Sequence, residues 1–157
     1  MIFLNNEVKY LRKLGLDFGD KKIGVAISDA LGITAQGKGY ISRTDLRKDL
    51  EVILDYIEKY SIEEIIVGMP KNMDGSYGPR AQKTQEFINF LNNNLDIPIK
   101  TWDERLTSKE AEKVLIKADM SRSARKEVID QMAASLILDS YLQANKNRRN
   151  KNESKRR

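Results

Sequence analysis

Residues 64–69, EIIVGM, run almost without interruption through apolar side chains and stop at Pro70. A run this short and apolar is what a strand buried on both faces carries. Its neighbours supply the layers such a strand needs. Residues 12–17 read as a short strand, and residues 22–29 alternate, with Ile23, Val25 and Ile27 on one face. Gly19 and Asp20 between them are a hairpin turn signal. Residues 33–41 read as a third strand, weakened by Gly37 and Gly39.

Residues 45–60 read as an amphipathic helix capped by Thr44, with Leu46, Leu50, Ile53, Leu54 and Ile57 along one side. Residues 80–93 read as a second helix with Phe87, Phe90 and Leu91 buried, and residues 97–102 as another strand. Thr107 to Glu110 has the pattern of a capping box. It predicts a helix to about Lys117 with Ala111, Val114 and Leu115 inward. After a polar break at 118–123, residues 124–144 predict a last helix. Its core face would be Val128, Ile129, Met132, Ala133, Leu136 and Tyr141. A strand meander followed by alternating helices and strands is an α/β domain. Its five-stranded mixed sheet runs antiparallel first and parallel later, joined by right-handed crossovers.

The 157 residues contain no Cys and no His. That excludes histidine general bases, Ser-His-Asp and Cys-His nucleophiles, zinc sites built on these residues and disulfides. Carboxylate, Lys/Arg and hydroxyl chemistry is left, with oxygen-liking ions such as Mg2+ or Mn2+. The net charge of +5 is a local property. Residues 146–157, KNRRNKNESKRR, hold seven basic residues and one acidic residue, so residues 1–145 are close to neutral. The division expected is a folded domain over 1–145 and a basic, disordered tail over 146–157. The tail would either anchor on nucleic-acid phosphates or merely solubilise the chain. No apolar run is long enough for a membrane helix and the first residues make a poor signal peptide, so a cytoplasmic protein is expected.

Four acids stand out by position. Asp17 ends the first strand beside a Gly turn, where it can hold a metal or simply cap the turn. Asp103 and Glu104 follow strand 97–102, at the edge where α/β sheets bind ligands; beside Arg105 they can also be a plain surface ion pair. Asp130 interrupts the apolar pattern of the last helix, and either reaches water or is paired or metal-bound. Ala133 and Ala134 would let that helix lie close to the sheet. If these carboxylates converge, they form an oxygen cage for one or two divalent ions that could activate water against a phosphodiester. The loop 68–80, GMPKNMDGSYGPR, adds Lys71 and Arg80 for phosphate, Asn72 and Ser76 for hydrogen bonds, and Tyr77 for stacking. Trp102 reads as core.

The segments LGLDFGDKKIGVAISD, VGMPKNMDGSYGPRA, TWDERLTSKEA and IDQMAASLILDSYL, in this order, resemble the YqgF/RuvX family over residues 13–142. The resemblance implies an RNase H-like fold and divalent-metal phosphodiester hydrolysis. The substrate would be the 5′ end of pre-16S rRNA within the pre-ribosome or, alternatively, a branched DNA such as a Holliday junction. It places the catalytic and metal-binding acids on Asp17, Asp130 and either Glu104 or Asp103. Neighbours in a strand face opposite ways, so one of that last pair ligates, and Glu104 has the longer reach. Asp74 is an outside candidate. Lys71, Asn72, Arg80 and Arg105 would hold the substrate backbone. RuvC-type resolvases carry a further Asp three residues after the helical one, where this chain has Ala133; that departure weighs against junction resolution. The protein would act as a monomer or weak homodimer. Two other classes fit parts of the pattern. An actin-like ATP-binding domain shares the Asp-x-Gly hairpin, and a non-catalytic nucleic-acid or ribosome-binding module would use the tail and loop alone.

Overall fold

The computed structural model describes residues 2–4, 7–9 and 11–156, with side chains for 11–105, 107 and 111–156. A small hairpin, β1 (Ile2–Leu4) and β2 (Glu7–Lys9), precedes the domain. The domain is built from β3 (Arg12–Phe18), β4 (Lys22–Ser28), β5 (Ala35–Ser42), α1 (Leu46–Tyr60) and β6 (Ile62–Met69). Then follow α2 (Pro79–Asn94), β7 (Ile99–Asp103), α3 (Glu104–Lys117) and α4 (Arg122–Arg156). The sheet order is β5-β4-β3-β6-β7, antiparallel among the first three strands and parallel from β3 through β6 to β7. This is the expected mixed five-stranded sheet.

The two faces of the sheet carry different residues. Leu14, Leu16 and Phe18 of β3, Ile23, Val25 and Ile27 of β4, and Ile65, Val67 and Met69 of β6 all point one way. They bury against Ile53 of α1 and Ala81, Phe87, Ile88 and Leu91 of α2, with the Phe18 and Phe87 rings stacked 4.3 Å apart. The alternate residues face α4, and many are small: Gly15, Gly24, Ala26 and Gly68. A Cβ on Gly15 would come 2.9 Å from Leu138 Cβ, so the helix backbone lies almost on the strand. Ala26 and Ile66 pack there against Ala134, Ile137, Leu138, Tyr141 and Leu142.

Polar contacts fix the register of α4. Asp139 Oδ1 accepts from Ala35 N at 2.7 Å, and Trp102 Nε1 donates to Ser140 Oγ at 3.0 Å. The Tyr141 hydroxyl donates to Glu64 Oε1 at 2.7 Å, and Lys100 and Lys13 lie 3.0 and 3.3 Å from that carboxylate. Burial pushes Glu64 up, but the Tyr141 hydrogen bond and the two ammonium groups outweigh it and hold the carboxyl below its usual range.

Several local expectations are corrected. Asp45 caps α1 through Lys48 N, and Thr44 instead donates its N–H to Asp49. Helix α3 starts at Glu104, with Asp103 as its cap, so Thr107 lies inside the helix; the Glu110 side chain is outside the described residues. Val114 is exposed, and so is Met132, because the buried face of α4 is turned to Ala134, Ile137 and Leu138. Trp102 does pack against the core beneath α4, half-buried and edge-on to Tyr141. The 146–157 tail, expected to be disordered, is helical to Arg156 with no break at 145. It contains neither Gly nor Pro to stop a helix that the sheet has already nucleated.

Gly68 tests the close approach. A Cβ there would meet the Ile137 side chain and lie 2.5 Å from Glu104 Oε1. Gly68→Ala should therefore destabilise the fold by about 1–3 kcal/mol, read by urea unfolding. An unchanged midpoint would mean α4 sits farther from the sheet than described.

Candidate active site

The cleft forms where three parallel strands end. Leu16 of β3 lies beside Val67 of β6, and Met69 of β6 beside Asp103 of β7. Asp17 and the residues after β7 therefore come to one edge of the sheet. Alternation sends Leu16 and Phe18 into the core under α1 and α2, and so turns Asp17 to the α4 side. Opposite Asp17 in β4 is Gly24, whose missing side chain leaves Ala134 and Asp17 close over it. Gly24 serves packing here.

The choice between Asp103 and Glu104 is made by the backbone. Asp103 is the last strand residue and the cap of α3, its Oδ1 accepting from Arg105 N at 3.0 Å. Both its oxygens also take the Arg105 guanidinium, the shortest contact being 2.6 Å, which holds this carboxyl below its usual range. Glu104, one residue on, enters the helix facing Gly68 and Asp17. Burial first, then the Asp17 charge and a hydrogen bond shared with Asp17, push the Glu104 carboxyl up to about 8. Arg80, near the start of α2, pulls in the other direction.

Asp17, Arg80, Glu104, Thr107 and Asp130 line one cleft of about 150 Å3, with Ala133 and Ile137 in its wall. Asp130 is exposed on α4 and stands at the rim. Among the described residues no group of three or more acids is close enough to enclose an ion. The structure thus joins Asp17 and Glu104 intimately and brings Asp130 to the same cavity without closing a three-acid cage. The Asp17 and Glu104 carboxylates and the Thr107 hydroxyl are oxygen donors of the kind a hard divalent cation takes.

Thr107 is the residue that sequence reasoning misplaced. It is buried, and its Oγ1 has no hydrogen-bond partner among the described residues while it borders the cleft. The capping-box pattern concealed it; its spacing of three from Glu104 in a helix would have put it on the same side.

The loop after β6 is built differently from expectation. Asn72 is bound within it, its side chain to Ser76 Oγ at 3.0 Å and its N–H to Ser76 O at 2.9 Å. Arg105 reaches the Asn72 and Met73 carbonyls at 3.4 Å, so it braces the loop against α3. Asp74 accepts from Ser76 N at 2.9 Å and does not line the cleft. Lys71 Nζ lies 5.2 Å over the exposed Tyr77 ring, and these two remain available at the surface. Of the four expected backbone-binding residues, Arg80 alone lines the acid cleft.

The sequence pattern of the RuvX family, described as "Holliday junction resolvase", matches residues 11–144. A protein of Halothermothrix orenii named "Putative pre-16S rRNA nuclease" is 64% identical over 132 residues, covering 84% of this chain and 94% of that one. One of the same name from Desulforamulus reducens is 54% identical over 132 residues, covering 84% and 96%. Among solved structures, T. thermophilus RuvC in complex with a Holliday junction substrate superposes with a TM-score of 0.55 at 12% identity, over 87% of this chain and 96% of that chain. The yeast mitochondrial Holliday junction resolvase Ydc2 gives 0.50 at 11%, over 85% and 78%. At such identities the likeness is one of fold, and the fold is RNase H-like.

The acid pair makes stability depend on pH. Glu104 titrates near 4.5 when unfolded and about 8 when folded, so between these values the folded state holds the extra proton. Its cost to the fold is absent at pH 4, grows as pH rises, and is complete above pH 8. Glu104→Gln removes the buried charge. In EDTA, its melting temperature should match that of the parent near pH 4 and exceed it increasingly up to pH 9. Parallel curves for the two proteins would contradict the buried, coupled pair.

Proposed function

The chain belongs to the RuvX family, and from that membership we propose that it is a divalent-metal-dependent endonuclease that trims the 5′ end of pre-16S rRNA. The observation that carries this reading is the meeting of Asp17 and Glu104 in one cleft with Arg80. The rRNA assignment leans on the names of relatives that match this chain over nearly their whole length. Asp17 and Glu104 would hold Mg2+ or Mn2+, with Asp130 completing the set from α4. When bound, the ion would lower the pKa of a water and offset charge on the phosphoryl oxygens.

The rest of the chemistry belongs to the chain. For both carboxylates to serve as ligands, Glu104 must give up the proton that its raised pKa keeps at neutral pH, so metal uptake would release a proton. Arg80 would take a non-bridging phosphate oxygen beside the acids. Lys71 and Tyr77, at the surface of the neighbouring loop, would meet the flanking backbone and a base face. Asn72 and Arg105 would act indirectly, by keeping that loop in place. We place this activity in the cytoplasm, in a monomer or weak homodimer. No helix among the described residues is long and apolar enough to cross a membrane.

Junction resolution is the second reading, favoured by the family description. Ala133 lines the cleft; the resemblance gives RuvC-type enzymes a further acid at that position, which tells against this reading.

Cleavage of a pre-16S rRNA 5′ fragment and of a four-way DNA junction, each in Mg2+, Mn2+ or EDTA, separates the readings. RNA cleavage that needs metal and falls by about two orders of magnitude or more in Asp17→Asn is expected, with affinity nearly unchanged. Equal turnover by the variant would refute the assignment. Paired cuts in the junction alone would promote the second reading, and binding without any cleavage would favour a non-catalytic module.

A further inference from the structure

A hollow larger than the acid cleft opens beside it. It lies between α3 and the first turns of α4, has a volume of about 710 Å3, and is lined by Glu112, Arg122, Ser123, Arg125, Lys126 and Ile129. Three cations face one carboxylate, and no ion pair joins them among the described residues. Ile129 also lines the acid cleft, so the two hollows meet there.

Helix geometry aligns the hollow with the acids. Arg122, Lys126 and Asp130 are spaced four residues apart on α4 and form one ridge. At 1.5 Å per residue, Lys126 and Arg122 lie about 6 and 12 Å along the axis from Asp130. Taking about 3.4 Å per nucleotide along a duplex strand, that is roughly two to four nucleotides. Arg125 adds a separate observation. Its Nη1 donates to the Met120 carbonyl at 2.7 Å, which pins the guanidinium, while its Nε is buried with no partner among the described residues.

We propose that the hollow between α3 and α4 is a backbone track, in which Arg122, Arg125 and Lys126 hold the phosphodiesters two to four nucleotides from the one placed at Asp17 and Glu104. The identity of the ligand rests on the nuclease reading above; the site itself rests on the charges, the hollow and its continuity with the acid cleft at Ile129. Glu112 on the opposite wall fits this role, because it repels a strand lying too near α3 and confines it to the α4 side.

The test uses the full chain with all three residues changed to Gln, which removes charge and keeps helix propensity. The probes are a labelled pre-16S rRNA 5′ fragment and a four-way DNA junction, bound in EDTA between 50 and 200 mM salt so that cleavage does not intervene. For at least one probe, affinity should fall about tenfold or more, and the slope of log affinity against log salt should lose about two to three units. The probe that loses more identifies the nucleic acid held there. If loss of the Arg125–Met120 bond lowers the melting temperature, Arg122→Gln with Lys126→Gln, leaving Arg125, should still cost one to two units of slope. Affinity and slope equal to the parent for both probes would overturn the track. The nuclease reading stands or falls separately, on whether the parent protein cuts either probe in Mg2+ or Mn2+.

Discussion

The contact between α4 and a sheet face stripped of side chains is what the rest of this molecule depends on. Gly15, Gly24 and Gly68 leave room for Leu138, Ala134 and Ile137 to sit nearly on the strands. The hydrophobic return there is modest per residue, since glycine offers no side chain to bury. The gain comes from packing density and from the anchors at Asp139, Ser140 and Tyr141. Close approach also sets the height of Asp130 above the sheet edge and the space left for Glu104. The same absence of side chains therefore serves cohesion and opens the cleft.

The acid pair is the counterpart of that arrangement. Burial and the neighbouring Asp17 charge work together on Glu104, and neither is relieved from within except by Arg80. A fold seeking stability alone would have an apolar or amide group in that place. The strain is local, because Asp103 next to it is fully satisfied by Arg105 and is held low. Two adjacent carboxyls thus have opposite tendencies, one held low by Arg105 and structural, the other pushed up by burial and by Asp17.

The sheet was legible in the sequence because its signals are local. The alternation of Ile23, Val25 and Ile27, the Gly19 turn and the run before Pro70 each depend on a few residues, and all three lie in the structure as read. The helix faces were less legible. Helix α4 is apolar at 128, 129, 132, 133, 134, 136, 137, 138, 141 and 142, nearly all round, so periodicity cannot choose a side. The glycines of the facing strands choose it. The start of α3 was misread for a similar reason: Thr107 and Glu110 make a cap pattern, but Asp103 offers a competing carboxylate at the actual end of the strand. That switch from strand to helix between 103 and 104 also settles which acid enters the cleft, which strand alternation left open. The convergence of Asp17 and Glu104 follows from strand order. The rim position of Asp130 depends on how far α4 overhangs the sheet, which no pattern of residues states. The basic ridge of α4 went unread because RSARK looks like an ordinary solvated turn until Asp130 is known to continue it.

The straight continuation of α4 to Arg156 turns a compositional oddity into a ruler. Between Asp130 and Arg148, the first arginine of the basic end, lie 18 residues of unbroken helix, about 27 Å at 1.5 Å per residue. A ligand that touches both must extend over some eight base-pair steps of duplex, or an equal length of strand. Short oligomers reach one or the other. A preference for length is then built into the shape of one helix, independently of any base that is read.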